Sequence, residues 1–370
     1  DRNGTAAVKL EEAKEVWGRA DLIPLWVADM DFGTAPFIVD AIRKRCECEV
    51  LGYTGKPDSY YRAIINWVKQ RYDLDVTKEM INFVPGIVPG IGMAMNSFTR
   101  PGDKVMIQPP VYHPFAWVTT RNERTLVTNP LKWENGMYRM DLDAFREQVK
   151  GCKLFILCNP HNPGGVVWTE DELRTVAEIC YEEKVLVFSD EIHADLTLPP
   201  YKHRPFATIS EKAKMNSVTF MSPSKAFNMP GLAASHAIIF NEDLRARFRK
   251  FMDAGELDMG HVFAFLSVEA AYTHGTEWLD QCLAYIQGNI DYVDNFLKTH
   301  APRIKAIRPQ ASYLVWLDCR ELGLNQEVLN DFFADKAHLA LNDGAMFGKE
   351  GTGYMLSLIH ISEPTRHLRI

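Results

Sequence analysis

The chain has no long run of lysine and arginine, no apolar stretch of membrane-spanning length and no cysteine pair with metal-ligand spacing. A net charge of −7 over 370 residues disfavours a nucleic-acid-binding surface. The first residues also lack the apolar core of a secretory signal. Because neither this core nor a membrane-spanning stretch is present, we expect no membrane insertion. The 7 cysteines are scattered, and Cys46 and Cys48 lie too close together to ligate zinc in the usual way. Reduced thiols in a cytoplasmic protein are therefore expected.

Fingerprints of nucleotide binding are also missing. The pattern G-x-x-x-x-G-K-[ST] does not occur, and Gly86, Gly90 and Gly92 do not have the spacing of the dinucleotide-binding motif. Internal repeats and an appended helix-turn-helix segment are absent as well. A hydrophobic content of 46% is ordinary for a globular chain, and the length is sufficient for two domains or more.

Short apolar runs alternate with helical patterns along most of the chain. The runs lie at 105–108, 154–158, 185–189, 218–221 and 236–240. Helices are predicted from about Ile87 to Phe98 and from Thr169, where Glu172 completes a capping box. This alternation predicts a mostly parallel sheet covered on both faces, with the site at the carboxyl ends of its strands. After about Gly275 a helix at 278–300, a strand at 313–317 and a helix around 327–337 predict a second, smaller domain.

Lys225 and Asp190 are the most informative pair of residues. A lysine amine can bond to an aldehyde, Ser222 and Ser224 can donate hydrogen bonds to a phosphate, and a carboxylate at a strand end can hold a protonated pyridine nitrogen. Those are the requirements of pyridoxal 5'-phosphate. Taken one at a time, the serine and lysine run is typical of a solvated turn, and the aspartate is typical of a helix or turn cap.

The order of motifs between Gly86 and Lys225 is similar to that of fold-type I pyridoxal-phosphate enzymes, the class I/II aminotransferase superfamily. The resemblance spans about residues 26–354. It implies an α/β fold of the aspartate aminotransferase type, with a three-layer α/β/α large domain over residues 47–275. A smaller α+β domain would comprise residues 1–46 and 276–355.

The resemblance also implies a role for each residue of the site. Backbone N–H groups at Gly86, Ile87 and Val88, before a helix, would hold the cofactor phosphate. Roles in the rest of the cofactor site fall to residues whose local motifs match those of the superfamily. These are Tyr112 stacked on the ring, Asn162 at its phenolic oxygen, Asp190 at its nitrogen, His193 supporting that oxygen or the aspartate, Ser222 and Ser224 at the phosphate, and Lys225 as the covalent anchor and proton carrier.

The segment Ile23 to Phe32 (IPLWVADMDF), with GYTGKP and FVPGIVPGI, resembles bacterial cysteine-S-conjugate β-lyases, the cystathionine β-lyases of the MalY/PatB type. The resemblance implies that Trp26, Ala28 and Asp29 lie on the substrate side. Alternatively, Trp26 and Phe32 pack the small domain. Tyr53 matches the tyrosine that reaches the phosphate of a neighbouring subunit, which implies a homodimer with shared sites.

The reaction implied is β-elimination of a cysteine thioether such as L-cystathionine, giving a thiol, pyruvate and ammonia. Transamination at the same site is an alternative. A regulator that keeps the fold without catalysis is another, and the presence of Lys225, Asp190 and Asn162 argues against it.

The sequence departs from the superfamily pattern after Met355, where an arginine for the substrate carboxylate is expected. Residues 356–370 read like a translated sequencing adapter, so we expect a non-native tail that replaces the true C-terminus. Arg366 and Arg369 are therefore not assigned to the carboxylate, and poor amino-acid binding and an incompletely packed small domain are expected.

Overall fold

The computed structural model describes residue 2 and residues 4–359. Its strands are β1 (Ile23–Pro24), β2 (Ile81–Val84), β3 (Lys104–Ile107), β4 (Thr125–Thr128), β5 (Lys132–Glu134), β6 (Met137–Arg139), β7 (Cys152–Cys158), β8 (Leu186–Asp190), β9 (Ser217–Met221), β10 (Ser235–Ile238), β11 (Lys305–Ile307), β12 (Leu314–Asp318), β13 (Leu339–Ala340), β14 (Asn342–Asp343) and β15 (Tyr354–Leu358).

Its α-helices cover both faces of the main sheet and much of the C-terminal region. They are α1 (Val8–Glu11), α2 (Ala13–Trp17), α3 (Pro36–Cys46), α4 (Asp58–Tyr72), α5 (Ile87–Phe98), α6 (Pro114–Arg121), α7 (Leu142–Gln148), α8 (Glu170–Glu182), α9 (Glu211–Met215), α10 (Glu242–Ala254), α11 (Val262–His274), α12 (Thr276–His300) and α13 (Gln326–Asp331).

The main sheet has seven strands in the order β2-β10-β9-β8-β7-β3-β4. Strand β10 runs antiparallel to both of its neighbours, and the other pairs are parallel. Alternate residues of β7 enter different cores: Leu154 and Ile156 pack with α5 and α10, whereas Phe155 and Leu157 pack with α8 on the opposite face. The predicted sheet, mostly parallel and covered on both faces, is confirmed.

Helix α8 begins as its sequence predicts. The Thr169 hydroxyl accepts a hydrogen bond from the Glu172 N–H, and the Glu172 carboxylate accepts one from the Thr169 N–H. This reciprocal pair satisfies two N–H groups that have no partner inside the helix. The helix then buries Leu173, Val176 and Cys180 against the sheet.

The C-terminal region forms a second, antiparallel sheet in the order β11-β12-β15-β14, beside the long helix α12. The N-terminal segment contacts both parts of the molecule. Strand β1 pairs with β13, but α3 packs against α11, where the Phe37 ring lies 6.1 Å from that of His274. The domain boundaries at residues 46 and 275 therefore remain predictions.

The predicted tail boundary at residue 356 falls inside β15. Leu356 pairs with Trp316 and Leu358 with Leu314, and both leucines are buried. Packing is thus regular as far as Ile359, whose N–H donates to the Tyr313 carbonyl at 2.8 Å. The rest of the predicted tail, with Arg366 and Arg369, lies outside the described residues. Within the described part of the chain, no helix has the length and apolar character needed to cross a membrane.

Candidate active site

Three neighbouring parallel strands deliver the central polar residues to one cavity. Asp190 is the last residue of β8, Asn162 lies in the turn after β7, and Lys225 follows β9 by four residues. Because β7, β8 and β9 are adjacent and parallel, their carboxyl ends meet at one edge. The resulting cavity has a volume of about 260 Å³. The residues that were assigned to the site from the sequence and that line this cavity are Ala28, Gly86, Ile87, Val88, Tyr112, Asn162, Asp190, His193, Ser224 and Lys225.

Lys225 is half-buried in this cavity, and its amine donates a hydrogen bond of 2.7 Å to the Ala28 carbonyl. Burial lowers the pKa of Lys225 to about 8, although the negative charges of Asp29 and Asp190 oppose this shift. A lysine with a lowered pKa is more often neutral, and a neutral amine is the form that attacks an aldehyde. The environment therefore suits a covalent anchor.

Asp190 is buried beside Lys225. Burial raises the pKa of Asp190 to about 7. A hydrogen bond of 3.1 Å from the Ile192 N–H opposes this shift, the charge of Glu191 adds to it, and the charge of Lys225 opposes it. A cation placed next to this carboxyl group would strongly stabilise its charged form. A protonated pyridine nitrogen would be such a cation.

The N-terminus of α5 forms another wall of the cavity. Gly86 precedes the helix with φ 132°, a conformation that side-chain-bearing residues rarely adopt. The N–H groups of the first helical turn have no partners within the helix and favour an anion. Ser224 lines the same cavity, whereas Ser222 stands behind it and accepts a hydrogen bond of 3.1 Å from the Ser224 N–H. Ser222 therefore stabilises the turn that carries Ser224 without lining the cavity itself.

Two polar side chains in the cavity have buried atoms that lack partners among the described residues. These atoms are Oδ1 of Asn162 and Nδ1 of His193. Tyr112 is joined to the same turn, because its N–H donates to the Asn162 carbonyl at 3.0 Å. Burial lowers the pKa of His193 to about 3, so its ring is neutral. Unpaired buried polar atoms are costly unless a ligand satisfies them.

These residues fit pyridoxal 5'-phosphate. Lys225 would anchor the aldehyde, the N-terminus of α5 and Ser224 would hold the phosphate, Asp190 would face the ring nitrogen, and Asn162 would face the phenolic oxygen. The unpaired atom of Asn162 and the raised pKa of Asp190 are features that this ligand would satisfy.

The N-terminal segment lies above Lys225 and separates two larger cavities. Trp26 lines a groove of about 700 Å³ that shares Ala28, Tyr112, Asn162 and Lys225 with the cofactor cavity; we call it the outer groove. Asp29 lies on the other side, in a cavity of about 670 Å³, and forms an ion pair of 2.8 Å with Arg2.

The packing alternative for this segment is also visible in the structure. The Trp26 ring lies 5.2 Å from the Trp17 ring, and the Phe32 ring lies 5.3 Å from that of Tyr285 on α12. Trp26 therefore both packs and lines the outer groove.

Comparisons with known proteins place the chain in a family. Residues 20–353 match the profile of the aminotransferase class I and II family. The chain belongs to this family. Cystathionine beta-lyase PatB of Bacillus subtilis strain 168 is 40% identical over 357 residues, which cover 96% of this chain and 92% of that protein.

Two solved structures resemble the chain closely. The pyridoxal-phosphate-bound C-S lyase from Staphylococcus hominis has a TM-score of 0.91 and 34% identity, covering 98% of this chain and 92% of that one. A pyridoxal-phosphate-bound protein from Clostridium difficile 630, described provisionally as an aminotransferase, has a TM-score of 0.95 and 39% identity, covering 97% and 93%. The predicted fold and family are confirmed.

Contacts of this aminotransferase-family site that the sequence analysis missed involve Asn228 and Tyr313. Asn228 clamps the N-terminal segment: its amide donates to the carbonyls of Met30 and Phe32 at 3.0 and 2.8 Å, and its oxygen accepts from the Met30 N–H at 2.8 Å. Tyr313 donates to the Ala28 carbonyl at 3.0 Å, beside the amine of Lys225. Asn228 follows Lys225 by three residues and could have been noticed, whereas no local pattern marks Tyr313.

Tyr53 is, besides Ser222, a predicted cofactor-binding residue that does not line the cofactor cavity. Residues 49–57 have neither helix nor strand, and the side chain of Tyr53 is 98% exposed. It lines none of the three cavities described above. Tyr53 therefore does not contact the cofactor cavity of its own chain.

Proposed function

We propose that the protein is a pyridoxal-phosphate-dependent carbon–sulfur lyase that converts cysteine thioethers such as L-cystathionine to a thiol, pyruvate and ammonia. The observation that carries the proposal is the convergence of Lys225, Asp190, Asn162 and the N-terminus of α5 on one cavity. The likeness to a cystathionine beta-lyase and to a C-S lyase supports the choice of reaction.

Each residue has a distinct task in this reaction. When bound, the cofactor supplies an electron-withdrawing ring that stabilises negative charge at the substrate Cα. Lys225 takes the Cα proton and later gives it up to solvent, because the pyruvate product keeps no hydrogen on that carbon. This role suits an amine whose pKa lies about one unit above neutrality. Asp190 would keep a proton on the ring nitrogen of the bound cofactor through its carboxylate, and Asn162 would hold the phenolic oxygen. Ala28, whose carbonyl accepts from Lys225, fixes the amine at the entrance to the outer groove.

Transamination is the second candidate, because the C. difficile protein of similar structure is described as an aminotransferase. The two reactions need the same anchor and the same proton carrier. They differ in the fate of the substrate: elimination would expel sulfur from Cβ, whereas transamination would keep the Cβ–S bond and pass the amino group to a keto acid. A large groove leading away from Lys225 supports elimination, since it provides a place for a departing thiol.

The test is incubation with L-cystathionine in the absence of any keto acid. We expect a free thiol and pyruvate in equal amounts, measured by thiol titration and by lactate-dehydrogenase-coupled absorbance. Lys225→Ala is the control and should form neither product. Amino-group transfer to an added keto acid without thiol release would favour the aminotransferase, and no product of either kind would refute both enzymatic functions.

We also propose that the protein acts as a homodimer in the cytoplasm. Val50, Leu51 and Tyr53 are strongly exposed in one irregular segment, which is unusual for apolar side chains that have no partner. A second copy of the chain would cover them, and Tyr53 would reach the phosphate site of that copy. The proposed location follows from the sequence-based expectation of reduced thiols.

A further inference from the structure

The outer groove begins at the cofactor cavity and has mainly apolar walls. Tyr112, Asn162 and Lys225 line both spaces, so a substrate joined to the site at Lys225 has direct access to the groove. Its other walls consist largely of aromatic and aliphatic side chains, among them Trp17, Trp117, Phe333, Met346 and Phe347. Such walls suit a hydrocarbon substituent on sulfur.

Charge in the groove is sparse, since its charged lining residues are Lys225, Asp331 and Asp343. Among its lining residues the only cation is Lys225, at the inner end. The carboxylate of Asp343 accepts hydrogen bonds from the Asn330 amide at 2.8 Å and from the Ala345 N–H at 2.7 Å. The groove therefore has little to offer a charged substituent, and a polar group that lines it without a partner becomes conspicuous.

His113 is one such group. Oδ1 of Asn162 and Oδ1 of Asn330 line the same groove and also lack a partner among the described residues, but an amide oxygen can only accept a hydrogen bond, whereas an imidazole ring can donate one. His113 follows Tyr112, stands at the N-cap position of α6 without a capping hydrogen bond from its side chain, and lines the outer groove with its ring 4.3 Å from the ring of Trp117 and 5.6 Å from that of Phe347. Its Nδ1 is buried with no hydrogen-bond partner among the described residues. A buried N–H without an acceptor costs more than an unpaired lone pair, so the ring proton belongs on Nε2.

Burial also lowers the pKa of His113 to about 4. The ring is then neutral at pH 7 and acts as a hydrogen-bond donor through Nε2–H rather than as a source of a proton. A neutral imidazole aimed at developing negative charge is an established catalytic device.

We propose that His113 binds the departing sulfur, with Nε2–H donating a hydrogen bond to it as the Cβ–S bond breaks. This inference rests on the proposed lyase function. In the step concerned, Lys225 takes the Cα proton, the pair from the Cα–H bond becomes the second Cα–Cβ bond, and the Cβ–S pair leaves on sulfur. The thiolate then takes a proton from water. The overall change is a cysteine thioether plus water giving thiol, pyruvate and ammonium.

The test compares two substrates of similar size whose thiols differ in acidity, S-cyclohexyl-L-cysteine and S-(4-nitrophenyl)-L-cysteine. His113→Phe keeps an aromatic ring but has no donor. We expect it to lower kcat for the cyclohexyl substrate by about tenfold to a hundredfold and kcat for the nitrophenyl substrate by less than about threefold, since a stable thiolate needs little help. His113→Gln, whose amide can place an N–H near the Nε2 position, should recover part of the loss.

Met346→Leu is the matched control, because Met346 lines the same groove and has no N–H or O–H donor. It should affect both substrates equally. An equal loss in His113→Phe for both substrates would overturn the proposed role. If the wild-type enzyme released no pyruvate from either substrate, the lyase function itself would fail, so the two failures are distinguishable.

A second readout does not depend on turnover. In holoenzyme labelled with ¹⁵N-histidine, the His113 signals are identified by their absence in His113→Phe. We expect a proton on Nε2 and none on Nδ1 at pH 7, and a shift of the Nε2 signal when cyclohexanethiol is added. A proton on Nδ1, or no response to the thiol, would contradict the inference.

Discussion

Burial shifts the pKa values of Lys225 and Asp190 towards neutral pH from opposite directions. Burial disfavours the charged form of both, so it lowers the pKa of Lys225 to about 8 and raises that of Asp190 to about 7. Each group therefore gains or loses a proton near pH 7 at little cost. Paired groups with shifts of this kind are typical of catalytic sites, although structural ion pairs also produce them.

A pH dependence of cofactor attachment follows from the pKa of Lys225. In protein freed of cofactor, the rate at which pyridoxal phosphate attaches should rise about tenfold per pH unit below pH 8, because only the neutral amine reacts, and should level off above it. Visible absorbance after mixing measures this rate. Asp29→Asn removes a charge that raises this pKa, so its break should lie at lower pH. A rate that keeps rising to pH 10 would contradict the prediction.

Asp190 should destabilise the cofactor-free protein above neutral pH. Its pKa is about 7 in the folded protein against an ordinary value of 3.8, so between these values the folded state binds more protons than the unfolded state. The free energy of unfolding then falls as pH rises from about 4 to about 7. Asp190→Asn should be more stable than the wild type in urea at pH 8 and equally stable near pH 4.

Cofactor addition provides the control for Asp190. Bound pyridoxal phosphate should stabilise the wild type more than Asp190→Asn, since only the carboxylate compensates a cationic ring. The variant should also lose at least about a hundredfold in kcat, which corresponds to about 2.7 kcal/mol of barrier. A variant that gains no stability at pH 8 would show that burial does not raise the pKa as inferred.

Single functional residues were predictable from the sequence where they belong to a short motif that is typical of their chemistry. Lys225, Asp190 and Asn162 each stand at a strand end in a recognisable run, and the structure brings all three to one cavity. Tyr313 was not predictable, because its contact with Ala28 joins positions 285 residues apart. The unpaired Nδ1 of His113 likewise depends on three-dimensional packing and leaves no trace in the local sequence.

At the scale of elements, α5 couples backbone conformation to ligand binding. Gly86→Ala places a side chain at φ 132°, which we expect to cost about 1–2 kcal/mol of stability. Because the strain lies at the helix N-terminus, it should also weaken binding of pyridoxal phosphate. Equilibrium titration of the cofactor by absorbance and urea unfolding measure the two effects.

Gly136→Ala is the matched control for Gly86. Gly136 also has a positive φ, 81°, in the hairpin between β5 and β6, and no atom outside its neighbours lies within 4 Å of an added Cβ. It should lose similar stability and keep its cofactor affinity. Equal affinity losses in both variants would indicate a global effect instead of a local one at α5.

Five of the seven strands of the main sheet were predicted to within one or two residues because buried apolar runs end at polar turns, whereas β2 and β4 were not predicted. The last predicted helix, around 327–337, was less accurate. It is α13, which ends at Asp331 and continues as a π-helical turn, Phe332–Lys336. Hydrophobic spacing does not distinguish these two windings over so short a span. The contact of α3 with α11 is also invisible in the sequence, since it depends on how the N-terminal segment crosses the molecule.

At the scale of the whole molecule, the N-terminal segment joins the parts that form the site. Strand β1 pairs with β13 in the C-terminal region, and six residues later Met30 is held by Asn228 near Lys225. Movement of the C-terminal region would therefore displace Ala28, which accepts the hydrogen bond of the Lys225 amine. The outer groove, lined by both regions, would change its width with the same motion.

A dimer with shared sites predicts that two variants, each with little activity at limiting cofactor, restore each other. Lys225→Ala lacks the amine, and Tyr53→Ala lacks a side chain that is 98% exposed in its own chain but would serve the partner's phosphate site. In a mixed dimer, one site receives Lys225 from one chain and Tyr53 from the other. If subunits re-assort at random, half of the dimers are mixed and half of their sites are intact, so activity should recover to about a quarter of the wild-type value.

The measurement is pyruvate release after the two variants are unfolded together and refolded with cofactor at a concentration that saturates the wild type but not Tyr53→Ala, with each variant refolded alone as the control. Tyr201→Ala replaces another exposed tyrosine, 45% exposed and outside the three cavities, and should keep full activity by itself. Tyr53→Ala should lower affinity for pyridoxal phosphate more than it lowers kcat at saturating cofactor, because its hydroxyl would contact only the phosphate. No recovery in the mixture, with both variants dimeric by light scattering, would mean that each site is built from one chain.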